Sequence, residues 1–72
     1  MSNTTLNYPS EMKQEISDMI SFVIAKRGSK NVVTKSMGSS RTIVYCENNE
    51  LLAELKQTVE EEVFFHNLIN KK

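Results

Sequence analysis

Few residues of this chain have side chains that can do chemistry. The sequence contains one cysteine, Cys46, and one histidine, His66. A structural zinc site needs about four cysteine or histidine ligands, so one chain cannot build it from these two, and a single cysteine cannot form an internal disulfide. A lone cysteine usually packs as a small buried hydrophobe. We therefore expect neither a metal site nor a reactive thiol.

The other two candidates for chemistry are a histidine–carboxylate pair and the glycines. His66 follows Glu62 by four residues, so the two can meet on one helix face, either as a general acid–base pair or as an ordinary surface contact. Gly28 and Gly38 are ten residues apart, which excludes the dinucleotide and P-loop fingerprints. The sequence thus predicts a protein that is not an enzyme and that uses no cofactor.

The first long element that could position these residues is a helix over 9–27. Pro9 suits the first position of a helix, and Gly28 suits the left-handed residue after the last turn. Apolar residues recur at the spacing of one buried face. They are Met12, Ile16, Met19, Ile20, Val23 and Ile24. Phe22 falls outside this face.

Period-two alternation over 31–46 predicts a β-hairpin around Gly38 and Ser39. If these two residues form the loop, two sets of residues share opposite faces. The sets are Val32, Thr34, Ile43 and Tyr45, and Val33, Met37, Val44 and Cys46. Since both faces are partly apolar, we expect helices on one face and another cover on the second.

Asn48 or Asn49 can cap a second helix, over 49–70. The polar segment 1–8 alternates with Leu6 and Tyr8 on one side, which allows a short edge strand. The predicted fold class is therefore α+β, with the order α-β-β-α or, with that strand, β-α-β-β-α. We expect a single domain over 9–70 in which both helices pack on one face of a small antiparallel sheet.

Charge is unevenly distributed although the formal net charge is zero. Between positions 19 and 46 there are five basic residues and no acidic one: Lys26, Arg27, Lys30, Lys35 and Arg41. From 47 to 70 there are six acids against Lys56 alone. The basic hairpin could contact a nucleic-acid backbone, or it could face the acidic helix within the fold or across a dimer. A third interpretation is that the run Glu60–Glu62 imitates nucleic acid.

The end of the second helix is apolar nearly all round. With Leu55 at the centre of the buried stripe, the stripe does not continue cleanly past Val59. Either the first helix covers the segment beyond, or this segment is a protein–protein surface. The predicted partner-binding residues are Phe22, Phe64, Phe65, Leu68 and Ile69.

These patterns favour a small non-catalytic accessory protein that binds and regulates, or inhibits, a larger protein, and that forms a homodimer. A nucleic-acid binding module is the alternative. The longest apolar run is only Phe22 to Ala25, and residues 1–8 lack the parts of a secretory signal. We therefore expect a soluble cytoplasmic protein without a membrane partner. Richness in Asn, Lys and Ile suggests an AT-rich genome, such as that of a phage or mobile element.

Overall fold

The computed structural model describes residues 2–70. Its elements are the strand β1 (Ser2–Asn7), a 3-10 turn (Ser10–Met12), the helix α1 (Lys13–Arg27), the strands β2 (Val33–Ser36) and β3 (Arg41–Cys46), and the helix α2 (Asn49–Ile69). The chain is thus an α+β domain of the order β-α-β-β-α. The N-terminal segment does form an edge strand, because its alternation buries Leu6 against the core. Among residues 2–70, no helix has the length and apolarity needed to cross a membrane.

The three strands form one antiparallel sheet in the order β1-β3-β2. The central strand, β3, buries alternate residues, Thr42, Val44 and Cys46. Val44 lies opposite Thr4 of β1 and Thr34 of β2, so these residues share the face of the sheet that the helices cover. All four residues of β2 are exposed, which shows that the helical layer does not extend over this edge.

The predicted hairpin register is wrong by one residue. Thr34 lies opposite Val44 rather than Ile43, and the Met37 N–H donates to the Arg41 carbonyl at 2.8 Å. Three residues therefore form the loop, at positions 38–40, instead of two. When the pairing of two strands shifts by one residue, the side chains of one strand change to the opposite face of the sheet. Val32 and Thr34 therefore lie on the face that the helices cover, together with Val44. The outer face carries Val33, Lys35, Ile43 and Tyr45, and no element among residues 2–70 covers it.

Both helices contribute to a single hydrophobic core. It comprises Leu6, Tyr8, Met12, Ile16, Ile20, Val23, Val44, Cys46, Leu51, Leu52, Leu55 and Val59. Helix α2 packs on β1 and β3, and α1 packs on α2. The predicted buried face of α1 is confirmed, with Met19 and Ile24 at its margins and Phe22 exposed.

The helix boundaries follow local backbone chemistry. The predicted start at Pro9 is early, because Pro9 is extended and the next three residues form a 3-10 turn before α1 begins. Gly28 ends α1 in the left-handed conformation with φ of 65°. Asn48 caps α2, where its side-chain oxygen accepts from the N–H groups of Glu50 and Leu51 at 3.0 and 3.1 Å.

Candidate protein-binding surface

The end of α2 extends beyond the core. A 21-residue helix is about 31 Å long, and the molecule measures 41 Å in its longest dimension against 22 and 17 Å in the others. Val59 is the last fully buried residue of α2, and Val63 is the last apolar one that packs against the core. The buried stripe therefore ends where the sequence predicts, and α1 does not cover the last two turns of α2.

Four apolar side chains are exposed on this projecting segment, and we call them the α2 terminal surface. They are Phe64, Phe65, Leu68 and Ile69, with exposed fractions of 62, 54, 57 and 80%. The rings of Phe64 and Phe65 are 5.8 Å apart at 72°, an edge-to-face pair. The exposure of all four meets the first requirement of the predicted binding surface.

Phe22 lies apart from the α2 terminal surface, although the sequence allows it to belong there. The two helices are antiparallel, since Glu11 contacts His66 at one end and Arg27 contacts Glu54 at the other. Phe22 is one turn from Lys26, whose Nζ is 6.0 Å from the ring centroid. It is therefore about 16 Å along the helix pair from the segment beside Glu11. Its exposed ring lies nearer the end of α1 that contacts Glu54 than the end beside His66.

His66 pairs with Glu11 rather than with Glu62. Its Nε2 lies 3.2 Å from Glu11 Oε1, and its carbonyl accepts from Asn70 Nδ2 at 2.8 Å. The sequence allows a contact with Glu62, four residues back along the helix, whereas the structure shows the contact with Glu11, in the 3-10 turn before α1. This contact fastens the end of α2 to the residues that precede α1.

Two of the five predicted nucleic-acid contacts are engaged within the fold. Lys26 Nζ is 3.3 Å from Glu54 Oε2, and Arg27 Nε donates to Glu54 Oε1. The hydrogen bond from Arg27 lowers the pKa of Glu54 below its ordinary value. Partial burial of the carboxyl raises this pKa, and the hydrogen bond from Lys26 lowers it again, so the net shift is downward. The acidic helix and the basic end of α1 thus neutralise each other here, as one of the sequence interpretations expects.

The other three basic residues occupy two different places. Lys30 lies in the loop after α1 and lines a shallow cleft with Cys46. Lys35 and Arg41 belong to the outer face of the sheet, where Arg41 Nε donates to Asn7 Oδ1 at 3.1 Å. The strand residues of this face are Asn3, Thr5, Asn7, Val33, Lys35, Arg41, Ile43 and Tyr45, none of them acidic. The five predicted contacts therefore do not form one surface.

An open cleft of about 200 Å³ separates α1 from β2. Hydroxyl groups of both elements line it, and the buried pair Tyr8 and Thr42 forms its floor. Sequence reasoning missed this cleft, because it results from the distance between α1 and an edge strand that no helix covers. The exposed alternation of Thr34 and Ser36 was the only local signal.

The remaining candidates for chemistry have structural roles. Cys46 is buried, and its Sγ donates to the Asn48 carbonyl at 3.4 Å, beside the cap of α2. Over the described residues 2–70, no group of three or more metal-ligating side chains comes together. Two separate exposed surfaces remain in the described part of the chain, an apolar one at the end of α2 and a basic one on the outer face of the sheet.

Comparison of the chain with protein-family models, with curated proteins and with solved structures gave no match.

Proposed function

We propose that this protein is a non-catalytic binding module whose α2 terminal surface docks onto another protein chain. The observation that supports it is the cluster of exposed aromatic and aliphatic side chains on a helix end that extends beyond the core. Taking about 200 Å² for an aromatic side chain, the four residues expose about 450 Å² of apolar surface. Contiguous apolar patches of this size are often functional sites in soluble proteins.

The composition of this surface suits an interface. Phenylalanine is enriched at protein interfaces, and aromatic anchors near the centre of a contact contribute much of the binding energy. Phe64 and Phe65 lie next to the acidic side chains Glu60 and Glu61, which are exposed and supply a polar rim on the same helix. An apolar centre with a charged rim is the usual anatomy of a protein–protein contact.

The finer role that we propose is that of an accessory protein, which regulates or inhibits a larger cytoplasmic protein. What supports this role is the same cluster of exposed apolar side chains, which offers anchors to a partner chain. An origin in a phage or mobile element rests on composition alone.

A paired-variant capture experiment tests the docking surface. The double variant Phe64→Ser, Phe65→Ser and the wild-type chain are immobilised and exposed to the same cell extract. The matched control is Val33→Ser, Met37→Ser, which removes two exposed apolar side chains from the hairpin. We expect the wild type and the control to retain the same proteins, and the phenylalanine variant to lose them with unchanged helix content by circular dichroism. Equal capture by all three chains would contradict the proposal.

A second candidate function is nucleic-acid binding on the outer face of the sheet. Lys35 and Arg41 share this face with Tyr45 and with the side-chain amides of β1, and no acidic strand residue interrupts it. Cations contact phosphate groups, and an exposed ring can stack on a base of a single strand. The face is smaller than the five-residue basic set that the sequence predicts, because Lys26 and Arg27 are paired with Glu54.

Salt dependence tests this second function. A fluorescent single-stranded oligonucleotide is titrated with the wild type, with Lys35→Glu, Arg41→Glu, and with the control Lys26→Glu. We expect the affinity of the wild type to fall steeply with salt concentration and the double variant to lose binding, while the control changes little. Binding that is absent, or that does not respond to salt, would exclude this function.

A further inference from the structure

We infer that the open edge of β2 binds an extended, acidic segment of another protein by strand addition. The segment pairs with β2 as a fourth strand of the sheet, and its side chains on the helical face enter the cleft between α1 and β2. This surface shares no residue with the α2 terminal surface, so the binding goes beyond the proposed function. Three features support it: the free backbone groups of β2, the cleft beside them and the positive charge around them.

The outer edge of β2 carries backbone groups that the sheet does not use. Within the described part of the chain, β3 is the one helix or strand that β2 contacts. In an antiparallel ladder, alternate residues exchange hydrogen bonds with one neighbouring strand, and the residues between them direct their N–H and C=O groups to the other side. The Met37 N–H donates to the Arg41 carbonyl, so the register places Lys35 in a bonding position toward β3. The N–H and C=O groups of Thr34 and Ser36 therefore point to the open edge.

The cleft beside β2 supplies a pocket for a side chain of an added strand. Thr34 and Ser36 line this cleft from the sheet, and Ile20 and Ile24 line it from α1. A residue directly opposite Thr34 in the added strand lies on the same face of the sheet, so its side chain points toward the cleft. The cleft measures about 200 Å³, and a cavity of roughly 150 Å³ already holds benzene. One aliphatic side chain therefore fits.

Free backbone groups beside a pocket are the two parts that peptide binding by strand addition needs. An extended peptide that adds to a sheet edge gains affinity from main-chain hydrogen bonds, and the pockets for alternate side chains give specificity. The exposed edge of β2 offers the first part, and the cleft offers the second. The occupant is therefore an extended segment with an apolar residue at the position that faces the cleft.

Charge excludes a second copy of β2 as a good occupant of this edge. The antiparallel pairing that uses both free positions places Thr34 of one copy opposite Ser36 of the other. Lys35 then lies directly opposite its own copy, and like charges in this arrangement destabilise a strand pair. A carboxylate at the same place forms an ion pair with Lys35 instead. The edge is thus complementary to an acidic strand and not to itself.

Positive charge lies on both sides of the added strand. On the helical side, Lys13 is the only charged residue among the described residues that line the cleft. On the outer face of the sheet, Lys35 and Arg41 have no acidic strand residue beside them. The segment that fits best therefore alternates apolar residues, which face the cleft, with acidic residues, which face outward.

Peptide binding combined with site-resolved hydrogen exchange tests the inference. The probes are two synthetic peptides, one that alternates valine with glutamate and one that alternates valine with lysine. We expect the full chain to bind the glutamate peptide about tenfold more tightly, since the lysine peptide replaces attraction by repulsion at Lys35. On binding, the amide hydrogens of Thr34 and Ser36 should change from rapid to slow exchange. The amide of Lys35 is already bonded within the sheet and serves as the internal reference.

Two variants of β2 separate backbone pairing from charge. Thr34→Pro removes one outward N–H and no hydrogen bond of the sheet, and edge strands tolerate proline at such positions. It should lower the affinity for the glutamate peptide by more than about tenfold, since the bond that this N–H donates is lost. Lys35→Glu should weaken the glutamate peptide and strengthen the lysine peptide, and its exposed position keeps it informative if the proline variant fails to fold.

A matched control reverses a charge at the opposite edge of the sheet. Lys56 is exposed on α2 and lies beside β1, so Lys56→Glu should bind both peptides as the wild type does. Phe64→Ser, Phe65→Ser should also bind them normally, because the α2 terminal surface is not involved. Loss of peptide binding in this phenylalanine variant would contradict the assignment to β2. Failure of the peptide experiment alone leaves the proposed function unaffected.

Four results would overturn the inference. The first is that the glutamate peptide does not bind even at about millimolar concentration, and the second is that both peptides bind equally well. The third is that the peptide binds without slowing exchange at Thr34 and Ser36, which places the contact elsewhere. The fourth is that these two amides become protected in the free chain as its concentration rises, because a second copy then occupies the edge.

Discussion

The hydroxyls of Tyr8 and Thr42 lie 2.7 Å apart and form a buried hydrogen bond at the floor of the cleft between α1 and β2. Tyr8 follows β1 directly, and Thr42 belongs to the central strand β3. The Tyr8 N–H also donates to the Ser40 carbonyl at 3.0 Å. A side-chain and a backbone hydrogen bond therefore connect the end of β1 to the hairpin, in addition to the backbone hydrogen bonds between β1 and β3.

Removing both partners of this bond should cost less than the sum of the two single removals. Tyr8→Phe or Thr42→Val alone leaves a buried hydroxyl unsatisfied, and we expect each to lower the free energy of unfolding by about 1 to 2 kcal/mol. In the double variant neither hydroxyl remains, so its cost should fall short of the sum by about 1 kcal/mol. Urea unfolding of the four chains of this cycle measures the difference. Strictly additive costs would show that the two hydroxyls do not interact in solution.

Glu54 should make the stability depend on pH in a defined direction. Arg27, together with Lys26, lowers the pKa of this carboxyl in the folded state. A lowered pKa stabilises the fold above the ordinary pKa of a glutamate, and the stabilisation is lost as the pH falls through the folded value. We expect Glu54→Gln to be less stable than the wild type at neutral pH, with a gap that closes under acidic conditions.

The measurement is urea unfolding of both chains at a series of pH values. Glu47→Gln is the control, because Glu47 lies in the same acidic half of the sequence and no ion pair involves it among the described residues. Added salt should narrow the gap between Glu54→Gln and the wild type, since this pair is partly exposed. If the difference in the free energy of unfolding between Glu54→Gln and the wild type is the same at neutral and acidic pH, the lower stability of the variant does not come from the charge of Glu54.

The helices of this fold could be predicted from sequence, because each carries its own period and its own end signals. These signals are local in sequence: they are the apolar spacing of α1, the glycine after it at Gly28, and the cap of α2 at Asn48. The hairpin register could not be predicted in the same way. Every residue of β2 is exposed, so its side chains do not select a face. The register is determined instead by β3, which must bury Thr42, Val44 and Cys46, and by the three-residue loop that this requires.

The candidate site divides along the same line. The end of the buried stripe at Val59 could be predicted from the period of α2. Whether the first helix covers the segment beyond it was left open by the sequence, and only the structure shows that Phe64, Phe65, Leu68 and Ile69 are exposed. Three other features could not be predicted: the position of Phe22, the pairing of His66 with Glu11, and the cleft beside β2. Each depends on where α1 lies relative to α2 and the sheet, which no local pattern specifies.

Gly28 should be sensitive to substitution for a purely conformational reason. Its φ is 65°, and a Cβ added there would meet no atom within 4 Å. Gly28→Ala therefore creates strain in the left-handed conformation without a clash, and we expect a loss of about 1 kcal/mol in the free energy of unfolding. Gly28→Asn should lose less, because asparagine tolerates this conformation. Thermal unfolding of the two variants checks the order, and equal losses would contradict this explanation.

A pair of leucine truncations in α2 distinguishes its packed half from its free half. Leu55 is completely buried at the centre of the stripe, whereas Leu68 is 57% exposed beyond its end. Leu55→Ala should cost about 2 to 5 kcal/mol through lost burial and the cavity left behind. Leu68→Ala should change the stability of the monomer by less than about 0.5 kcal/mol. Unfolding measured at low protein concentration isolates the monomer. A large loss from Leu68→Ala there would mean that the end of α2 packs within its own chain, and the α2 terminal surface would not be available to a partner.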